Sequence, residues 1–526
     1  MTTRLILHCK LKKTKKMKCK TLMNQITLIS LLLIAFTGFG QTTTPTKADK
    51  LFDDYKFNLA IKEYLNLSKS KRADSTYIQT RLADCYYQLY NYEQAIVWYS
   101  KALKNDSDPE LNFRYAQMLK AAGDYAKASE QMTLFSKQRP EDPRAINFLK
   151  NPNYVNEVIE RGARYTISPM ALNPELDEFG GVLVENTFYF VSNRERKNAQ
   201  KENSDQTGKN FTNVYTSNFV NGEATNINEF RELNTRWNDE LLTVNKNKEV
   251  LYMSSENYSL NLSKNPKFKN MTEFSDGVFA IFKSTFESNS FWSNFEPLSF
   301  TEKEYSYSDP FLTADSKTLY FSSNMPGGFG GMDVWKVTIL DDGSYSAPIN
   351  LGNEINTITD DRYPFLDEQK NEFYSSSNGH LGLGGLDIFK VQLNSSIKKP
   401  INLLQPVNSS GNDFAFIYYN DRNVGFFSSN RDGNKNIYQI KEIPSVKVDF
   451  KVLEETNSLP IKNAKILVKD KSNNKVIDVV YTNENGQAMG LIQKNKEIFL
   501  EIETKNHVKE IQKILANRNQ KRCSWI

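Results

Sequence analysis

One segment recurs five times between residues 163 and 442: an aromatic strand closing on Ser-Ser-Asn or a near variant. The copies run from Phe188 to Asn193, Leu251 to Glu256, Leu319 to Asn324, Glu372 to Asn378 and Gly425 to Asn430. After a Gly/Asn-rich turn, each is followed by an aliphatic–aromatic strand: Asn213 to Tyr215, Val278 to Phe282, Asp333 to Trp335, Asp387 to Phe389 and Asn436 to Tyr438. An inner strand lies upstream, clearest at Ser308 to Leu312 and Asp361 to Leu366. A four-stranded unit of this kind cannot bury both faces alone, and radial repetition covers them while leaving short edges. Five copies predict a β-propeller of five or six blades over 163–442, a sixth falling in 195–235 or 257–275. The glycines at 327–331 and 382–385 suit turns that need positive φ. Asp333 and Asp387 are placed to hydrogen-bond those turns, and Ser323, Asn324, Ser429 and Asn430 read as turn ligands rather than catalytic groups.

A second period precedes it. Phe57, Tyr92 and Tyr125 each stand three residues before Ala60, Ala95 and Ala128, and Tyr64, Tyr99 and Met132 come four residues later. The offsets of 35 and 33 residues match a tetratricopeptide repeat (TPR). A small Ala lets antiparallel helices approach, and the residue one turn on fills the seam. Residues 48–145 are expected to form a TPR α-solenoid closed by Pro140 and Pro143, with a concave face open to a partner. Residues 446–505 alternate apolar and polar positions between turns, predicting a small antiparallel β-sandwich. Residues 506–526 form a short tail, with Lys509 onward reading as a basic helix. The expected fold class is thus multidomain α + all-β: TPR α-solenoid, propeller, small sandwich.

Residues 1–40 have the parts of a secretory signal. Eight basic and no acidic side chains precede or flank an apolar run of eleven residues, Ile26 to Phe36, and Gly38 and Gly40 suit a peptidase cut before Gln41. Eleven residues are too few to span a bilayer, which takes about 20. The formal charge of +5 belongs to this leader: removing it leaves 59 basic against 62 acidic side chains, a mildly acidic body with no nucleic-acid signature. Of four cysteines, only Cys85 and Cys523 lie beyond the leader, which argues against a disulfide framework and makes Cys85 a small core residue.

Chemistry-bearing motifs are sparse. There is no G-x-S-x-G, H-E-x-x-H or G-K-[ST]. Beyond the leader only His380 and His507 remain. His380 is read as a solvated turn residue, and Asp341-Asp342 and Asp360-Asp361 as solvated turn acids. No catalytic residue, cofactor or metal ligand is expected from this pattern, and the chain is read as a non-enzyme.

The blade residues resemble the WD40-like PD40 repeat, and the run from Pro460 through Asn463-Ala464 to Asn485-Gly486 resembles a carboxypeptidase regulatory-like domain. The order of units resembles the PorE-like OmpA-family periplasmic proteins of Bacteroidetes, which work beside type IX secretion or gliding machinery. That resemblance implies a periplasmic scaffold associated with the outer membrane, binding an outer-membrane protein of PorP/SprF type through the helical groove and propeller faces. The family's C-terminal OmpA-like domain has no counterpart here, so no peptidoglycan-binding residue is carried over. The alternative is a propeller-based envelope glycan binder or hydrolase. The alternative predicts a polar, deeply concave channel with convergent acidic or Ser/His groups, and a plugged, Phe/Tyr-lined channel would eliminate it.

Overall fold

The computed structural model describes residues 46–515, apart from 71–74, 162, 173–174, 197–202, 236, 257–277, 288–290, 294–295, 303, 395–398, 455, 495 and 505–509. The leader calls and residues 516–526 lie outside the described residues.

Eight described helices come first: α1 Lys47–Asp53, α2 Phe57–Leu67, α3 Ser75–Gln88, α4 Tyr92–Ala102, α5 Pro109–Ala121, α6 Tyr125–Gln138, α7 Pro143–Lys150 and α8 Tyr154–Glu160. Their starts are written in the sequence. Thr46 and Asp49 form a reciprocal capping box, and Asp108 and Asp142 cap α5 and α7 just ahead of Pro109 and Pro143. Pro143 therefore opens a helix rather than closing the array, because proline at the first helical position lacks only an N–H that would have no partner there. Phe57, Ala60, Tyr64, Ala95, Tyr99 and Ala128 are buried between helices, while Tyr92, Tyr125 and Met132 are half-buried. Phe135 takes the deepest place in α6. Tyr64 donates to Asp49 at 2.6 Å and Tyr99 to Asp84 at 2.8 Å, a buried polar pair that recurs every 35 residues.

These helices do not stand free. On α5, Gln117 Nε2 donates to the Asn378 carbonyl at 3.0 Å, and Lys120 Nζ lies 3.4 Å from the Gly382 carbonyl. Tyr154 donates to the same carbonyl at 3.1 Å. Tyr90 donates to Ser410 O at 3.2 Å and accepts from Gly385 N at 3.1 Å. Val158 joins Leu383 and Leu404 in an apolar cluster. The expected fold class is corrected here: among the described residues there is no TPR α-solenoid, only short helices of 7 to 14 residues laid on the β-structure. The physical reason is that α5, which would line an open groove, spends its polar side chains on the turns beneath it.

Five small antiparallel sheets follow. Blade 1 comprises Glu178–Val184, Thr187–Ser192, Asn213–Val220 and Glu223–Glu229; blade 2 Asp239–Val244, Val250–Glu256, Phe279–Glu287 and Glu296–Pro297, with Phe291–Trp292 alongside. Blade 3 comprises Tyr307–Leu312, Thr318–Ser323, Asp333–Thr338 and Ile349–Asn350; blade 4 Asp361–Asp367, Glu372–Ser377, Asp387–Gln392 and Ile401–Asn402. Blade 5 takes Asp413–Tyr419, Val424–Asp432 and Asn434–Glu442 from one end of the ring and Tyr165–Pro169 from the other. That early strand closes the circle, pairing Tyr165 with Glu442 and Pro169 with Tyr438.

A circuit of hydrogen bonds also runs around the ring. The residue just before each inner strand accepts a backbone N–H from the preceding blade: Asn238 from Thr212 (3.0 Å), Ser306 from Phe279 (3.0 Å), Asp360 from Met332 (3.0 Å), Asn412 from Leu386 (2.8 Å) and Asp177 from Lys435 (3.0 Å). Five links return to their start, so five blades complete the circle.

The last unit has a two-stranded sheet, Ser445–Lys451 with Gln487–Gln493, and a four-stranded one in the order Val476–Tyr481, Lys465–Asp470, Glu497–Glu503, Glu510–Leu515. Residues 510–515 pair with 497–502 as a strand, which corrects the helix expected there.

Candidate functional site

The predicted turn positions lie where the blades are tied together. Asp387 accepts from the N–H groups of Leu383 (3.1 Å) and Gly384 (2.9 Å), and Asp333 from Phe329 N–H and Asn350 Nδ2. Ser323 Oγ accepts from Met325 N, and Ser429 Oγ from Arg431 N and Nε. Asn324 accepts from Ser306 N at 2.7 Å and Asn430 from Asn412 N at 2.6 Å. The terminal Asn of the repeat thus holds the residue that bonds the preceding blade.

Two residues differ from their expected setting. Asp361 is fully buried, bonding Thr357 Oγ1 at 2.8 Å, and burial pushes its carboxyl up to about 7. It is no solvated turn acid, although Asp341 and Asp342 are exposed. His380 is half-buried with its ring 5.0 Å from Phe389, and desolvation lowers its pKa to about 4. Cys85 is a buried free thiol, pushed up to about 12 by burial. Among the described residues, no group of three or more His, Cys, Asp or Glu is gathered as a metal site, and no helix is long and apolar enough to cross a membrane.

Each inner strand carries a bulge two residues after its start, between Phe179 and Val182, Asp239 and Leu242, Ser308 and Phe311, Arg362 and Phe365, and Phe414 and Ile417. Such bulges turn side chains toward the axis. Within the bulges, Gly180, Asp309, Tyr363 and Ala415 all have positive φ. Beyond them the channel narrows to about 50 Å³, walled by Val182, Phe311, Phe365 and Phe416. The throat is therefore an aromatic plug.

The mouth is different. Under the helices a cavity of about 720 Å³ is roofed by Tyr55, Phe57, Gln88 and Tyr90, and floored by Glu240, Ser308, Arg362, Tyr363, Phe414 and Lys435. Glu240, Ser308, Arg362 and Phe414 occupy the same register position in four successive blades, with Phe179 as the fifth. Arg362 grips Asp309 with Nε and Nη2, each at 2.9 Å, and reaches Ser308 Oγ at 3.2 Å. Desolvation opposes the guanidinium charge, but Asp309 more than offsets it, so its pKa stands well above the ordinary value. Tyr363 lies beneath that guanidinium at 4.7 Å and packs 4.9 Å from Phe414. Glu240 makes no hydrogen bond among the described residues; burial raises its pKa, opposed by Arg362 and Lys435. These residues were missed from sequence, because they come from four different blades.

No family model and no curated protein matches the chain. Solved structures similar to it include CoXyl43, a GH43 β-xylosidase/α-arabinofuranosidase from a compost microbial metagenome, at 12% identity over 54% of this chain and 94% of that one, TM-score 0.32. An endo-arabinase from Bacteroides thetaiotaomicron is 11% identical over 52% of this chain and 96% of that one, TM-score 0.32. Prolyl oligopeptidase B from Galerina marginata is 10% identical over 66% and 44%, TM-score 0.28. Likeness at this level assigns neither activity nor site residues. The expectation of a non-enzymatic scaffold is nonetheless corrected. The groove it would use is docked on the propeller, where Gln117, Lys120 and Tyr154 bond the blade-4 turns.

Proposed function

We propose that the chain is a propeller-based glycan-binding protein whose site is the mouth cavity. The observation that carries this reading is the composition of the cavity wall. Amide- and hydroxyl-bearing Gln88, Asn91, Gln206, Ser306 and Asn412 line it together with the aromatic Tyr55, Tyr90 and Tyr363. Saccharides present hydroxyls in the ring plane and C–H groups on its faces, and such a wall complements both. The mouth is polar while the throat is plugged, so the ligand lies across the ring's face, beneath the helices. Calorimetric titration of the full chain with a panel of soluble oligosaccharides tests this; binding to at least one is expected, and heat from none overturns it.

A second reading, hydrolysis, is favoured by Glu240 alone: desolvation keeps its carboxyl protonated to higher pH, as a proton donor to a leaving oxygen requires. Release of reducing ends that Glu240→Gln abolishes without abolishing binding would support it. We also propose that the leader exports the chain to the periplasm; the intact mass of the mature protein should then begin at Gln41.

A further inference from the structure

Three cations line the mouth cavity, and two are committed. Arg362 is held by Asp309 at 2.9 Å, and Lys209 by Asp177 at 2.8 Å. Lys435 is not: its Nζ sits 4.5 Å above the Phe179 ring, with no carboxylate within salt-bridge distance among the described residues. The hairpin places it there firmly, since its backbone N–H is the link that closes the ring onto Asp177. The acids facing it are Asp177 and Glu240. Asp177 is occupied by that N–H, by Lys209 and by Asn193. Glu240 makes no hydrogen bond among the described residues, although Arg362 and Lys435 both act on its charge.

An ammonium with two acids in its field but no carboxylate in contact can take one from a ligand. We propose that Lys435 anchors the carboxylate of an acidic sugar, making the ligand a uronic-acid-containing oligosaccharide. This rests on the glycan reading above. An ammonium with no carboxylate in contact matches a single negative charge. A phosphate dianion would leave its second charge facing Glu240 and Asp177. Glu240 can donate to the bound carboxylate when protonated.

The test is calorimetry on the full chain with a uronic-acid tetrasaccharide and with the same molecule after its carboxyls are reduced to primary alcohols. The wild-type chain should bind the acidic form about tenfold more tightly at low salt. Lys435→Gln should shrink that preference to within about threefold, and Lys435→Arg, which keeps the charge, should preserve it. Equal affinity for both forms, or a full preference retained by Lys435→Gln, overturns the inference while leaving the glycan reading intact. Binding of neither this pair nor any of the wider panel overturns both.

Discussion

Buried carboxyls dominate at the scale of single residues. Asp239 and Asp361 open equivalent inner strands, and burial pushes each up to about 7 despite hydrogen bonds from Ser255 and Ser377 and from the turns at Thr235 and Thr357. Blade 5 shows what they lack: Asp413, at the same position, is paired at 2.6 Å with Arg431, two residues after Ser429. Gly379 stands in that place after Ser377. For an acid whose folded pKa is raised, the folded state holds more protons, so stability is greatest below about pH 4 and falls until pH passes about 7. Between those limits Asp361 alone changes stability by a few kcal/mol, at about 1.4 kcal/mol per pH unit. His380, lowered to about 4, slopes the opposite way between its folded and ordinary values. The diagnostic is therefore a difference: urea midpoints at pH 5 and pH 8 should diverge less for Asp361→Asn than for the parent. Equal divergence would remove Asp361 as a source of the slope.

At the scale of elements, the ring depends on one strand borrowed across most of the chain. Tyr165, 5% exposed, anchors it between Phe416 and Tyr418, with ring centroids 6.4 and 6.5 Å away. Tyr165→Ala should cost about 3–5 kcal/mol, as large-to-small aromatic changes in cores do. It should also raise hydrogen exchange at 434–442 ahead of the other blades, since the last full-length strand would lose its outer neighbour. This strand was not legible in the sequence. Tyr165–Pro169 carries no copy of the Ser-Ser-Asn pattern, and its partner lies more than 250 residues away. The second and third strands of each blade were legible, because Ser323 to Asn324 and Asp333 repeat a local hydrogen-bonding task. The mouth residues were not, since a ligand-facing position differs from blade to blade. The one signal was negative: at the register shared by Phe179, Glu240, Ser308, Arg362 and Phe414, the repeat is broken while its flanks persist.

The whole molecule turns on how the helices sit over the ring, because they roof the cavity. A helical array reads the same in sequence whether it stands alone or docks, and nothing in Gln117 or Lys120 announces that each bonds a blade-4 turn. The tightest join is Tyr90, whose hydroxyl both donates to Ser410 O and accepts from Gly385 N. The fit allows no slack at Gly385: a Cβ there would lie 2.6 Å from the Tyr90 ring and 2.3 Å from Asn412 Oδ1, the atom that ties blade 4 to blade 5. Tyr90→Phe keeps the ring but strands the Ser410 carbonyl and leaves the Gly385 N–H with the Gly411 carbonyl alone, a loss of about 1–3 kcal/mol in docking. Gly385→Ala pushes on both the dock and the inter-blade link, so its effect should be larger. If the cavity needs its roof, both variants should weaken saccharide binding in that order, with blade amides away from 385 and 410 keeping their exchange protection. Unaltered binding by both would confine the site to the ring, with the helices as its cover and no part of its wall.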